Sequence, residues 1–265
     1  MKAKTALIGL LLIAAFSSLA CFGSLLGTRV RGSGNVVEEE RAITNVEAVT
    51  LATFGDLTIE IGEEETLRIE AESNLMDYIE TDVSGGRLTI KASPNANLQS
   101  TQPVHFYLTV KTLEEVKTTG SGDIYLADIE TVDFSVIVNG SGDVTMESVK
   151  AANAELHMTG SGDVSLDALD AEWLKVRMTG SGSAEINDGR VADLNVTING
   201  SGDLEINAVQ SETAAVKLTG SGSADLWANE TLDVQITGSG DVDYRGRPNI
   251  TSRLTGSGDL KPQGE

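Results

Sequence analysis

Leu156-His157-Met158-Thr159-Gly160-Ser161-Gly162-Asp163-Val164-Ser165-Leu166 is one instance of a pattern that fills the second half of this 265-residue chain. Its Gly-Ser-Gly tripeptide starts at Gly120, Gly140, Gly160, Gly180, Gly200, Gly220, Gly238 and Gly256. The interval is twenty residues five times and then eighteen twice. Self-similarity at such a period marks a stacked repeat.

Working outward from the first glycine, the residues two before it are apolar from Val138 to Leu254, with Thr118 the exception. Four before it stand Val116, Val136, Leu156, Val176, Val196, Val216 and Val234, with Ser252 the exception. Four after it, all are apolar, from Ile124 to Leu260; six after it, Leu126 to Tyr244 are apolar and Pro262 ends the series. Polar residues separate them: Lys117, His157, Arg177, Lys217 and Arg253 lie three before the glycine. Alternation with a period of two is the strand period. Each repeat therefore reads as strand, Gly-Ser-Gly turn, strand and short return. Glycine suits the turn because it tolerates positive φ and close backbone approach.

One repeat cannot fold alone. Burying an apolar side chain contributes roughly 1.5–3 kcal/mol, and about five of these fall short of ordering twenty residues at about 1–2 kcal/mol each. Stacked repeats share one core and pair their strands, so the array folds as a unit. The expected fold is all-β, a right-handed parallel β-helix or β-solenoid, with one Gly-Ser-Gly per coil preferred and two per coil the alternative. Residues 113–261 form the regular array. Residues 32–112 read as irregular coils of the same domain: Gly55-Asp56-Leu57-Thr58-Ile59 echoes Gly142-Asp143-Val144-Thr145-Met146, and Gly85-Gly86-Arg87-Leu88-Thr89-Ile90 echoes it again. Solenoid ends expose unpaired edges; Lys261 with Pro262, and Glu38, Glu39, Glu40 and Arg41, fit edge blocking.

Residues 1–20 read as an export signal, with Lys2 and Lys4 ahead of an apolar run too short to span a bilayer. Ser18-Leu19-Ala20-Cys21 resembles a lipobox, which makes Cys21 a lipid-attachment site and residues 21–31 a tether; the alternative is a secreted chain with a free thiol. The expected location is the cell surface or periplasm. The net charge is −21, with 40 acidic residues. That excludes a nucleic-acid partner, which calls for a basic footprint.

Asp123, Asp143 and Asp163, each following a turn, are candidate metal ligands because stacked carboxylates repel by roughly 1 kcal/mol per adjacent pair. Calcium wants six to eight oxygens, and Ser183 and Ser223 interrupt the column, so turn capping is the main expectation. No cofactor is expected. Catalytic residues are not identified either. His105 and His157 are the only histidines, His157 occupies an outward repeat position, and His105 has no identifiable partner. Trp173 and Trp227 fall near coil corners and Tyr125 projects outward, which does not make an aromatic platform.

Val30-Arg31-Gly32-Ser33-Gly34-Asn35, Gly55-Asp56-Leu57, Glu70-Ala71-Glu72-Ser73-Asn74-Leu75 and the Gly-Ser-Gly-Asp array, in that order, resemble the bacterial GIN domain, described as the head of auto-transporter adhesins. The resemblance spans roughly residues 32–260. It implies a β-helix in an extracytoplasmic, often lipoprotein, setting, with a role in adhesion and no catalytic residues to transfer. Trimeric adhesin heads ride on coiled-coil stalks, and neither heptads nor a barrel segment is read here, so function does not follow from the fold. The expected function is non-enzymatic binding of a surface ligand, glycan or protein, through polar ladder faces. The alternatives are a purely structural envelope lipoprotein and, third, a polysaccharide-active enzyme.

Overall fold

The computed structural model describes residues 28–263, nearly all of them in strands. The export signal and Cys21 lie outside the described residues. The array is a β-solenoid, about seven turns in the whole molecule. Val144 pairs in parallel with Val164, and Leu156 with Val176, so one coil holds twenty residues and one Gly-Ser-Gly. The coil spacing is that of paired strands, about 4.8 Å.

Coil 141–160 shows how the sequence sets the cross-section. Gly142, Val144, Met146, Val149, Ala151, Ala154, Leu156 and Met158 are buried. Strict alternation fails at Glu147–Ser148 and at Ala152–Asn153, where two successive residues turn away from the core. Those two breaks and the Gly-Ser-Gly make three corners. We call the strand after the tripeptide the lead-out face, the next the back face, and the strand running into the following tripeptide the lead-in face.

The glycines answer to the coil beneath. A Cβ on Gly160 would lie 1.9 Å from the carbonyl oxygen of Gly140, and one on Gly142 would lie 2.0 Å from that of Gly122. No side chain fits there. Positive φ at the first glycine of the tripeptide begins only at Gly180, so stacking rather than φ is the common reason for the motif. The change from twenty to eighteen residues is also located: pairing slips between Ile206/Gln210 and Ser211/Thr213, on the back face. Ser211, buried there, donates its hydroxyl to the Trp227 carbonyl at 2.6 Å.

The N-terminal region departs from the expected irregular coils. Strand Asp56–Ile61 does continue the lead-out face, with Leu57 beside Ile124, as the Gly55-Asp56-Leu57 echo requires. Ala48–Ala52 continues the lead-in face through Val49 and Val116. Gly85-Gly86 is a different object. It joins Ile79–Ser84 to Arg87–Ala92 as an antiparallel hairpin, with φ of 57° and 77°, the left-handed pair that a tight hairpin turn demands. Arg87–Ala92 then stacks on the lead-in face, not the lead-out one. His105–Val110 supplies the layer under Asp56–Ile61, Thr66–Glu72 pairs with it antiparallel, and Val36–Arg41 pairs antiparallel with Thr66–Glu72. Thr28–Arg31, placed in the tether by sequence, is a strand parallel to Ala96–Gln99.

The two ends are finished differently. Val36–Arg41 is the last strand of its sheet, and Glu39 and Arg41 share the side of the sheet that carries buried Ile69 and Leu67. Arg41 donates to the carbonyl of Ile79 at 2.6 Å and pairs with Glu39 at 2.7 Å. Inward-pointing charge of this kind blocks further strand addition. At the other end Lys261 and Pro262 sit on the short final strand Leu260–Pro262. The adjoining Asn249–Gly256 is exposed along its whole length, with Ile250 at 42% and Leu254 at 47%.

Candidate functional site

Because like positions stack, each outward residue of the repeat becomes a column along the rod, and the columns differ in chemistry. The Asp column lines the corner where the lead-out face begins. The amide of Asp143 donates to Oδ1 of Asp123 at 2.9 Å, that of Asp163 to Asp143 at 2.8 Å, and that of Ser183 to Asp163 at 2.7 Å. Each carboxylate thus caps the backbone of the next coil, not its own turn. Among the described residues no group of three or more His, Cys, Asp or Glu is arranged to hold a metal ion.

Further out on the lead-out face, Tyr107, Thr58, Tyr125 and Thr145 form one column. The two tyrosines stand two strand spacings apart, about 9.6 Å. Tyr125 is 44% exposed. Burial raises its phenol pKa, and the charges of Asp123, Asp56 and Asp143 add to the rise. Tyr107 lies under the Arg68 guanidinium at 4.0 Å and donates to Glu70 at 3.2 Å. Its pKa is raised by burial and then by Glu70. Towards the other end the same column becomes Glu185, Glu205, Asp225 and Asp243. Burial, then the charge of Asp243, raises the Asp225 pKa. Sequence reasoning missed Tyr107 as a partner of Tyr125, because the seventeen residues between them run through different layers. It also missed Asp56, whose Oδ2 lies 4.0 Å from His105 Nδ1.

The lead-in face has the opposite character. Lys117, Ile137, His157, Arg177, Thr197, Lys217, Gln235 and Arg253 are consecutive members of one outward column. His157 is exposed there, as its repeat position implies. Where this face meets the back face, an open groove of about 550 Å³ runs past Glu47, Arg87, Glu115, Asp133 and Trp173. Arg87 pairs with Glu115 at 2.6 Å. Trp173 is half-buried at the corner, beneath Lys175 at 5.4 Å, and Trp227 is half-buried with its indole N–H on Asn229.

Among the described residues one carboxylate is fully buried. Glu72 accepts from the Gly34 amide at 2.6 Å, from the Thr101 hydroxyl at 2.6 Å and amide at 2.8 Å, and from the Ser100 hydroxyl at 2.9 Å. Burial alone would raise its pKa; the four hydrogen bonds, led by those of Thr101, lower it to about 2. Gly32 is required beside it, since a Cβ there would meet Glu72 Oε2 at 1.9 Å. Asn74 closes the same junction, accepting from the Ser33 amide and donating to the Arg31 carbonyl, both at 2.8 Å. The Gly-Ser-Gly at 32–34 and the Glu72-Ser73-Asn74 run therefore lock to each other. Strong perturbation of a buried acid is a pointer to function, but here every contact ties the N-terminal segment down.

Together these features define an all-β solenoid whose sides are built from repeated polar columns, closed at one end by an antiparallel cap. The family model described as putative auto-transporter adhesin, head GIN domain, matches residues 45–167 and 145–248, and the chain belongs to that family. Among solved structures, a putative lipid binding protein from Parabacteroides distasonis is 27% identical with a TM-score of 0.84, covering 89% of this chain and 100% of its own. A putative adhesin from Parabacteroides merdae is 20% identical with a TM-score of 0.83, covering 89% and 99%. A putative adhesin from Parabacteroides distasonis is 20% identical with a TM-score of 0.79, covering 89% and 100%. No curated protein matches the chain.

Proposed function

We propose that this protein is an exported, non-enzymatic adhesin that holds a glycan or protein of another surface against its lateral faces. The observation that carries this reading is the register of the outward columns, in which side chains of one kind can recur along the rod at the coil spacing, as in the hydroxyl and amide column Thr179, Asn199 and Thr219. Such a surface is suited to a long or repeating partner, because hydrogen bonds made to that column in one coil are offered again in the next. The family description and the solved relatives named adhesins support the same reading. Export through residues 1–20 and lipid attachment at Cys21 would hold the rod at the membrane with its faces free.

Cell-adhesion assays and glycan arrays with the purified chain test the binding claim. Retention of cells or of a defined glycan family is expected; no retention of either would leave a structural envelope protein. Labelled fatty acid should enter the parent chain and be absent after Cys21→Ser. Equal membrane fractionation of both, with no label in the parent, would remove the anchor.

A further inference from the structure

The lead-in column is the place where this acidic chain gathers unneutralised positive charge. Lys117, Arg177, Lys217 and Arg253 make no ion pair among the described residues, and all but half-buried Lys117 are exposed. Three cations on other faces of the array behave differently. Lys150 meets Glu130 at 2.7 Å, Arg190 meets Asp170 at 2.9 Å, and Lys175 meets Glu155, each one coil away. With 40 acidic residues in the chain, partners are plentiful. Cations left without them in a single column serve no pairing within the fold.

Their setting is that of an anion site. One flank is a column of hydroxyls and amides, in which Thr179, Asn199, Thr219 and Thr237 are in register and exposed. On the other flank, Glu115 is taken up by Arg87 and Glu155 by Lys175, which leaves Asp233 as the remaining acid of that column. The spacing selects the ligand. Lys117 and His157 are two coils apart, as are Arg177 and Lys217, and Lys217 and Arg253. Two coils measure about 9.6 Å, close to the Debye length at physiological salt, so the cations repel one another little. A duplex nucleic acid, with one charge per roughly 1.7 Å, is far too dense for a chain of net charge −21. A polymer with one anionic group per two sugars presents its charges at about the two-coil step.

We propose that the lead-in face is a binding site for a linear acidic polysaccharide, lying along the rod with carboxylates of alternating sugars on Arg177, Lys217 and Arg253. The Thr and Asn column hydrogen-bonds the sugar hydroxyls between them. This rests on the adhesin reading and names its ligand class and face.

Hyaluronan, which carries one carboxylate per disaccharide, is the probe, with neutral dextran as its uncharged counterpart and calorimetry or biolayer interferometry on the full chain as the readout. Hyaluronan should bind and dextran should not, with affinity falling as salt is raised. Arg177→Glu combined with Lys217→Glu should weaken binding about tenfold or more with an unchanged circular dichroism spectrum. Lys150→Glu, on the back face, should leave it within about twofold. Absence of hyaluronan binding, equal binding of dextran, or equal loss in the Lys150→Glu chain would overturn the site. Cell adhesion measured on the parent chain separates the two claims: adhesion by a parent chain that does not bind hyaluronan removes the polysaccharide site and leaves the adhesin reading standing.

Discussion

The cap and the array use glycine for opposite reasons. In the array, Gly160 sits at a place where a Cβ would strike the backbone of the previous coil at 1.9 Å. In the cap, Gly85 has nothing within 4 Å of such an atom but holds φ at +57°. The array is thus limited by contact between layers, and the cap's hairpin by the shape of its own turn. A contact cannot be relieved by a change of residue type, whereas a left-handed turn tolerates asparagine.

That difference sets the largest expected effect. Gly160→Ala should cost about 3 kcal/mol or more, the upper range for forced overpacking, and Gly160→Asn at least as much. Gly85→Ala should cost about 1–2 kcal/mol, with Gly85→Asn recovering much of it. Urea unfolding of the four variants measures both, and equal penalties at the two sites would break the comparison.

Next in size is Glu72→Gln, which removes the buried carboxylate that ties the cap together. Its folded pKa of about 2 lies below the ordinary 4.5. The stabilisation it gives is complete above the unfolded value and is lost as pH falls from about 4.5 towards 2. The parent should therefore lose cap stability through that window, and the Gln variant should start lower at neutral pH and show a shallower acid limb. Hydrogen exchange in residues 28–41 and 96–102 reports it; array amides should change less.

Thr118→Val should stabilise by about 1 kcal/mol. Thr118 is fully buried between Leu51 and Val138, and its hydroxyl has no partner, a cost that an isosteric apolar side chain removes. The thermal midpoint should rise. Smallest is Asp225→Asn. Burial and then Asp243 raise the Asp225 pKa, so the folded state loses stability as pH rises through that raised value. Removing the charge should restore a few tenths of a kcal/mol, screened by solvent and smaller at high salt.

Much of the array was legible because its rule is local. As far as Val242, positions two and four before and four and six after the first glycine are buried, and even Thr118 keeps the inward place that its offset dictates. The back face was not legible. Val149 and Ala151 are buried too, but the doubled outward steps on either side reset the parity, and small residues carry little apolar signal. In the cap, alternation is the same for parallel and antiparallel strands, so Gly85-Gly86 resembled a coil turn when it closes a hairpin. Glu72 could not have been picked out: its partners Gly34 and Thr101 lie far away along the chain, and the loops that bury it are irregular. For the lead-in face, offsets alone bring Lys117, Arg177, Lys217 and Arg253 into line. What they do not contain is which neighbouring cations are already engaged.

The unblocked strand Asn249–Gly256 has a consequence for how such a molecule changes length over evolutionary time. A tandem duplication of one unit there would seat a new rung on Ile250 and Leu254 without touching the locked base, and it would carry its own column members into register. Growth by copying slippage is therefore nearly free of structural cost at one terminus and forbidden at the other, so the reach of the lateral faces can be tuned in steps of a single rung.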